Sequence, residues 1–484
     1  MSRRLPRSLV LLAAFALILL SSSVITMAQA RKLPKLKVSE DKRFLVKEDG
    51  SPFFYLADTG WELFHRLNRD EAVKYLQNRA DRKYNVIQAV ALAELEGLTD
   101  PNAHGDTPLV NNDPTTPATT PGNNPNDAAQ YDYWDHVDYI VEQAAARGIY
   151  IAMLPTWGDK WNKKWGVGPV VFTPANAEVY GEFLGRRYKD KSIIWVLGGD
   201  RNPETEEHKT VIRAMAKGLK KGDGGNHLMT FHPTGGNTSA TWFHEDTWLD
   251  FNMQQNGHCA DTAVWERLSK DRDRAPTKPV MDGEPIYEDH PICFKPKEMG
   301  YSGDYEVRKL AYWDVFSGAH GHTYGNHAVW QMYAPNRKPI NGPQGFWYEA
   351  INRPGASQMQ YVRALIESRP FLVRVPGQDA LASDAGTGAD RVQATRGSDG
   401  SYLFVYSASG KPFTVNMDKI SGRRASAHWY DPRTGKVEQA GMHPTTGTRE
   451  FTPPSNGKGN DWVLVLDDEA RKFPAPGANF KQPK

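Results

Sequence analysis

From about residue 53 onward, short apolar runs rich in β-branched and aromatic residues alternate with stretches whose apolar positions recur at helical spacing. The runs predict strands at Phe53–Ala57, Val86–Val90, Tyr150–Leu154, Ile193–Leu197, Leu228–Phe231, Phe251–Gln254, Pro279–Met281 and Ala319–Tyr324. The stretches between and after them predict helices at Arg69–Arg82, Tyr131–Arg147, Asn176–Tyr188, Glu204–Leu219, Asp261–Ser269, Tyr305–Phe316 and Ala356–Glu367. Near-continuous apolar strands alternating with amphipathic helices indicate an α/β fold around a parallel sheet, and eight such strands fit a (β/α)8 TIM barrel over residues 31–372. No G-x-G-x-x-G turn follows the first strand, which argues against an open dinucleotide-binding sheet.

Two features lie outside this rhythm. Two short strands, Leu36–Val38 and Arg43–Val46, precede the first unit, and a polar stretch from Thr99 to Asn126 follows the second strand. On the C-terminal face of a barrel that stretch reads either as a lid over a binding site or as a solvated insertion. Beyond Pro370 the texture turns to alternating strands such as Tyr402–Tyr406 and Trp462–Leu466 separated by Gly, Asp and Pro turns, which predicts an all-β sandwich domain over residues 376–468. Residues 469–484, with Pro474, Pro476 and Pro483, read as a flexible tail.

Residues 1–30 read as an export signal: Arg3, Arg4 and Arg7, an apolar run from Leu9 to Leu20, and Ala28-Gln29-Ala30 at the cleavage position. The expectation is a protein exported to the periplasm or the exterior, with no membrane span after cleavage. The formal net charge is +2, and the three arginines of this leader exceed it. Nothing in the balance recruits nucleic acid or an anionic membrane. Cys259 and Cys293 can pair in an oxidising compartment or stay as two buried thiols, and the sequence leaves that open. The 14 tryptophans suit a protein that stacks sugar faces, although most would serve an ordinary core.

In a parallel barrel the residues at the carboxyl ends of the strands face the mouth. Asp200 follows an apolar strand and the flexible pair Gly198-Gly199, and Glu284 stands just past another apolar strand in Val280-Met281-Asp282-Gly283-Glu284-Pro285. Two carboxyl groups at matched strand ends can cleave a glycosidic bond, one donating a proton to the leaving oxygen and one ionised. Asp282 and Asp58 are the nearest alternative acids. Asp58, Trp61, Gln88, Trp157, Asn202, His232, Gln254 and Tyr324 are the candidates for holding sugar hydroxyls and stacking a ring. His322 and His327 cluster at the eighth strand, but no spacing of His, Asp or Glu makes a metal motif, so neither metal nor cofactor is expected.

Three segments carry a resemblance: Phe54-Tyr55-Leu56-Ala57-Asp58-Thr59-Gly60-Trp61-Glu62-Leu63-Phe64, Trp195-Val196-Leu197-Gly198-Gly199-Asp200-Arg201-Asn202, and Asp282-Gly283-Glu284-Pro285. Over about residues 36–370 the chain resembles the apiosidase-like glycoside hydrolases of family 140, and the trailing domain resembles a module named for collagen binding. The resemblance implies Asp200 as acid/base, Glu284 as nucleophile, and removal of the pentose apiose from pectic side chains of the plant cell wall; exo action with retention of configuration is the expectation, and inversion stays open. A monomer acting on such an oligosaccharide or polysaccharide is the expectation. The alternatives are an endo-acting polysaccharidase, or a carbohydrate- or matrix-binding protein with an inactive barrel.

Overall fold

The computed structural model describes residues 32–482, so the expected export signal lies outside the described residues. All eight expected parallel strands are present: β1 (Tyr55–Thr59), β2 (Val86–Val90), β3 (Tyr150–Leu154), β4 (Ile193–Gly198), β5 (Met229–His232), β6 (Asn252–Gln255), β7 (Val280–Asp282) and β8 (Gly321–Tyr324). They form a curled, six-stranded parallel sheet in the order β8-β1-β2-β3-β4-β5 and a parallel β6-β7 pair, to which the short strand Asn237–Thr238 adds antiparallel. Hydrogen bonds cross both seams between the sheets. Asp250 N donates to Met229 O (2.8 Å) and Thr230 Oγ1 to Phe251 O (2.7 Å) on one side, and His320 N donates to Val280 O (3.0 Å) on the other.

Side chains alternate between two cores, as the two-residue period of a strand requires. Ile193, Trp195 and Leu197 pack outward under the helices, whereas Ile194 and Val196 join Val86, Val90, Ala152 and Leu154 inside the curl. Leu45 and Phe53 of a small N-terminal antiparallel sheet join that inner cluster.

The helices are α1 (Arg69–Asp81), α2 (Tyr133–Ala146), α3 (Pro174–Tyr188), α4 (Glu206–Asp223), α5 (Val264–Arg272), α6 (Asp304–Phe316) and α7 (Pro354–Glu367), with short helical turns between. Asn68, Asp132 and Thr173 start α1, α2 and α3 with reciprocal caps, and Gly224 ends α4 at φ 73°. Helices α3 and α4 approach through Gly181, Gly185, Gly218 and Gly222, where a Cβ would run into the facing backbone.

The C-terminal domain is a six-stranded antiparallel sheet faced by a two-stranded ribbon, Phe413–Asn416 with Thr448–Phe451. It shares an apolar cluster with α6 and α7, in which Tyr312 stacks on Tyr406 at 4.7 Å. Two buried arginines cross the junction: Arg308 grips Asp461 through two bonds of 2.8 and 2.6 Å, and Arg369 grips Asp467 through two of 2.7 Å.

Two expectations for loops need correction. The segment expected to be a loose tail is docked through residue 482: Phe473 packs into the junction, and the Gln482 side chain bonds Glu367 O, Arg369 O and Phe371 N. Prolines marked it as irregular, but the partly buried Phe473 ring and the Gln482 amide tie it down. The Thr99–Asn126 stretch folds against the start of α2, where Pro108 O accepts from Trp134 Nε1 and Asp132 holds Thr120 N. It contributes no residue to the cavity described next.

Candidate active site

The loops beyond the carboxyl ends of the parallel strands enclose a cavity of about 570 Å³ that contains both Asp200 and Glu284. Backbone conformation places Asp200: Gly198, Gly199 and Asp200 occupy the left-handed region in succession, at φ 98°, 89° and 53°. A Cβ on Gly199 would lie 2.7 Å from Gly158 N, so glycine is needed for the loops after β3 and β4 to touch. A non-glycine residue at positive φ is strained, and strain held by tight packing is common where a side chain must be aimed. The Asp200 carboxylate accepts from Thr234 Oγ1 (3.2 Å) and from Arg201 Nη1 (3.2 Å).

Glu284 is positioned from β7. Asp282 Oδ1 accepts the Glu284 N–H at 3.1 Å, and Gln88 donates to Gly283 O at 2.8 Å. Its two oxygens lie against two imidazoles, with His232 Nε2 3.0 Å from Oε2 and His258 Nε2 3.3 Å from Oε1. His232 also touches the other acid, since the Asp200 N–H donates to His232 Nδ1 at 3.2 Å. That bond makes Nδ1 the acceptor and leaves the ring proton to Nε2, the nitrogen nearer Glu284.

The surroundings push the two carboxyl groups in opposite directions. Burial and then the negative charge of Glu284 raise Asp200 from 3.8 to about 6, against the opposing pull of Arg201 and His232. Burial alone would raise Glu284 too, but the His232 and His258 imidazoles outweigh it and hold that carboxyl at about 2. Near pH 5 one group is therefore mostly protonated and the other ionised. A proton donor paired with an anion across one cavity is what general-acid cleavage with nucleophilic attack on an acetal requires.

Of the expected sugar-holding residues, Trp61 and Trp157 line the cavity, with ring centroids 5.3 Å apart, and His232 reaches it through Glu284. The others lie outside it. The Asp58 carboxylate is fully buried on Arg79 Nε (2.6 Å) and the Tyr75 hydroxyl, so it fixes α1 to β1. Tyr324 donates to Glu288 (2.6 Å), Gln254 to Asp271 (2.5 Å), and Asn202 Oδ1 accepts from Thr234 N (3.1 Å). Gln88 and Asp282 support the loop that carries Glu284, and burial, followed by the charge of Asp314, raises Asp282 to about 7. His322 is bonded to Asp314 in the interior (2.9 Å).

The cavity also holds residues that the sequence did not single out: Glu94, Trp165, His258, Tyr287, His290, Phe294 and Trp330. Burial, and then the charges of Asp200, Glu62 and Asp159, raise Glu94 to about 8. His258 stacks on His290 at 4.0 Å, and Cys259 and Cys293 are joined by a disulfide, while Cys293 N donates to His258 O at 2.8 Å. Trp157 Nε1, Gln255 Oε1 and His258 Nδ1 are buried atoms of cavity residues without a hydrogen-bond partner, suited to the hydroxyls of a polyol. Among the described residues no group of three or more His, Cys, Asp or Glu could hold a metal ion, and no helix is long and apolar enough to cross a membrane.

A cavity with one raised and one lowered carboxyl, set at the ends of parallel strands, suits the chemistry of a glycoside hydrolase. Comparison with known proteins agrees. A solved structure described as a glycoside hydrolase is 39% identical, with 90% of this chain and 97% of that chain covered and a TM-score of 0.80. A second, described as a glycoside hydrolase family 5 from Bacteroides vulgatus, is 37% identical over 93% and 96% of the two chains, with a TM-score of 0.82. No curated protein matches the chain. The family model for the apiosidase-like catalytic domain matches residues 39–373, and the chain belongs to that family. Residues 375–467 match the model described as "Putative collagen-binding domain of a collagenase".

Proposed function

We propose that the protein is an exo-acting, retaining glycosidase that removes a terminal pentose, apiose, from pectic side chains, with Asp200 as acid/base and Glu284 as nucleophile. The observation that carries this reading is the divergence of the two carboxyls, about 6 against about 2, across one cavity. Asp200 would protonate the leaving oxygen while Glu284 attacks the anomeric carbon. Asp200, now ionised, would then take a proton from the water that releases the sugar. Trp61 and Trp157 would bound the sugar, and Trp157 Nε1, Gln255 Oε1 and His258 Nδ1 would meet its hydroxyls. On this reading the six-stranded sheet and the β6-β7 pair act as one (β/α)8 barrel, joined by the seam bonds at Met229, Phe251 and Val280. The leader at residues 1–30 would direct the monomer to the periplasm or beyond, where its polysaccharide substrate occurs.

The test is release of free sugar from a panel of pectic and hemicellulosic oligosaccharides, with the anomer first formed read by proton NMR. Wild type should liberate apiose with retained configuration, and Glu284→Gln should lose at least a thousandfold. Release by the Glu284→Gln variant at the wild-type rate would refute the assignment. Chain shortening from within would favour an endo-acting enzyme.

A further inference from the structure

Trp165 has a use that the reaction centre leaves unassigned. The residue is 58% exposed, unusual for tryptophan, yet it lines the same cavity as Asp200. The guanidinium of Arg201 lies 4.0 Å from the ring centroid, and the Lys164 ammonium lies more distantly, at 5.8 Å. That guanidinium is buried and bonds both Asp200 O (2.7 Å) and the Asp200 carboxylate (3.2 Å). The loop bearing Trp165 is pinned from several directions. Gly168 N donates to Asp159 at 2.8 Å, Lys164 pairs with Glu204 in the loop after β4, and Gly166 lies so close to Asp159 and Arg201 that a Cβ there would collide with both. The indole is thus a fixed ring, braced on one face by the group that holds the acid.

We propose that Trp165 is the platform of a leaving-group subsite, stacking the apolar face of the pyranose immediately beyond the scissile bond. The inference rests on the proposed hydrolysis at Asp200 and Glu284, and its chemistry follows from position. The acid must stand beside the leaving oxygen, so the sugar that carries this oxygen lies on the Asp200 side of the cavity. Trp165 is on that side, one guanidinium away from the Asp200 carboxylate, whereas Trp61 and Trp157 pack about His232, next to Glu284. A preoriented indole gives a sugar face large contact area at little entropic cost. Bracing by Arg201 also ties occupancy of the platform to the group that holds Asp200.

The test compares kcat/KM for an apiosylated pectic oligosaccharide with that for methyl apioside, which presents no ring to the platform. Trp165→Ala should lower the ratio of the two about tenfold, and Trp165→Tyr should restore most of it. An equal loss on both substrates, together with a displaced alkaline limb of the pH profile, would mean that Trp165 acts only through Arg201 on Asp200, and would overturn the subsite. So would an unchanged ratio. A wild type that cleaves methyl apioside without favouring the oligosaccharide would sink the platform and leave the hydrolase standing. If wild type releases sugar from neither substrate, the functional reading falls and the platform with it.

Discussion

The raised carboxyl of Asp200 should cost the folded protein stability at neutral pH, and removing its charge should recover that stability. Folding holds a proton on this group between 3.8, its ordinary value, and about 6, a window in which the unfolded chain has already lost it. The folded state then binds the extra proton, so stability falls as pH rises through the window. The full interval corresponds to about 3 kcal/mol. Because the side chain is 20% exposed and therefore partly screened, about 2 kcal/mol is the better expectation. Asparagine keeps the shape and cannot ionise. The melting temperature of Asp200→Asn relative to wild type should therefore rise by about 2–3 °C more at pH 7.5, where wild-type Asp200 is charged, than at pH 4, where it is already protonated. Activity should fall by at least a hundredfold in the same variant, since asparagine cannot transfer the proton. An offset that is equal at the two pH values, or larger at pH 4, would refute the claim that ionised Asp200 is under electrostatic strain. Asp200→Asn together with Glu284→Gln sharpens the result, because Glu284 is the second cause of the raised value.

Other outcomes follow from the same geometry. In pH profiles of kcat/KM, activity should fall above about pH 6 as Asp200 loses its proton, and Thr234→Val should move that limb upward by removing a bond that favours the charged form. The loss of Glu284 charge should set an acid limb near 2, so between the two limbs the profile should be broad. Gly199→Ala forces a side chain onto a residue at φ 89° and onto Gly158 N at 2.7 Å; a loss of ten- to a hundredfold in kcat with a lower melting temperature is expected. Arg308→Met leaves Asp461 buried without its partner, which should destabilise the junction by roughly 3–5 kcal/mol, measurable by denaturant unfolding, whereas pairing it with Asp461→Leu should regain much of that loss.

The parallel strands were legible because burial on both faces makes them near-continuous apolar runs, and the period of the intervening helices differs from theirs. Their ends moved by one or two residues, as with Leu228–Phe231, which runs instead from Met229 to His232. What the strands could not reveal was which loop would build the cavity. Length and polarity left Thr99–Asn126 open as a lid or a solvated insertion, and the rim comes instead from Trp165–Val167, Phe294 and Ile340-Asn341. Trp134, Leu109 and Asp132 hold the longer loop against α2, and such contacts depend on tertiary neighbours rather than on composition.

Strand-end position nominated the two acids, which the structure places in one cavity, but that rule also nominated Asp58, Gln254 and Tyr324. All three are spent on buried partners, and a strand-end position by itself does not tell a ligand from a strut. The resemblance assigned roles to Asp200 and Glu284, but the physical cause of their opposite shifts was not legible, because it depends on an imidazole at the end of a different strand. His232 takes the Asp200 N–H on Nδ1, which leaves its proton to Nε2, 3.0 Å from Glu284 Oε2. The backbone of the proposed acid thereby fixes the tautomer that holds the proposed nucleophile ionised, and the resulting negative charge is the second cause that keeps Asp200 protonated. The left-handed turn through Gly198, Gly199 and Asp200 is what aims that N–H. Strain in the β4 loop and the opposite charge states of the pair are consequently parts of one arrangement, and loosening the turn should bring the two pKa values closer together.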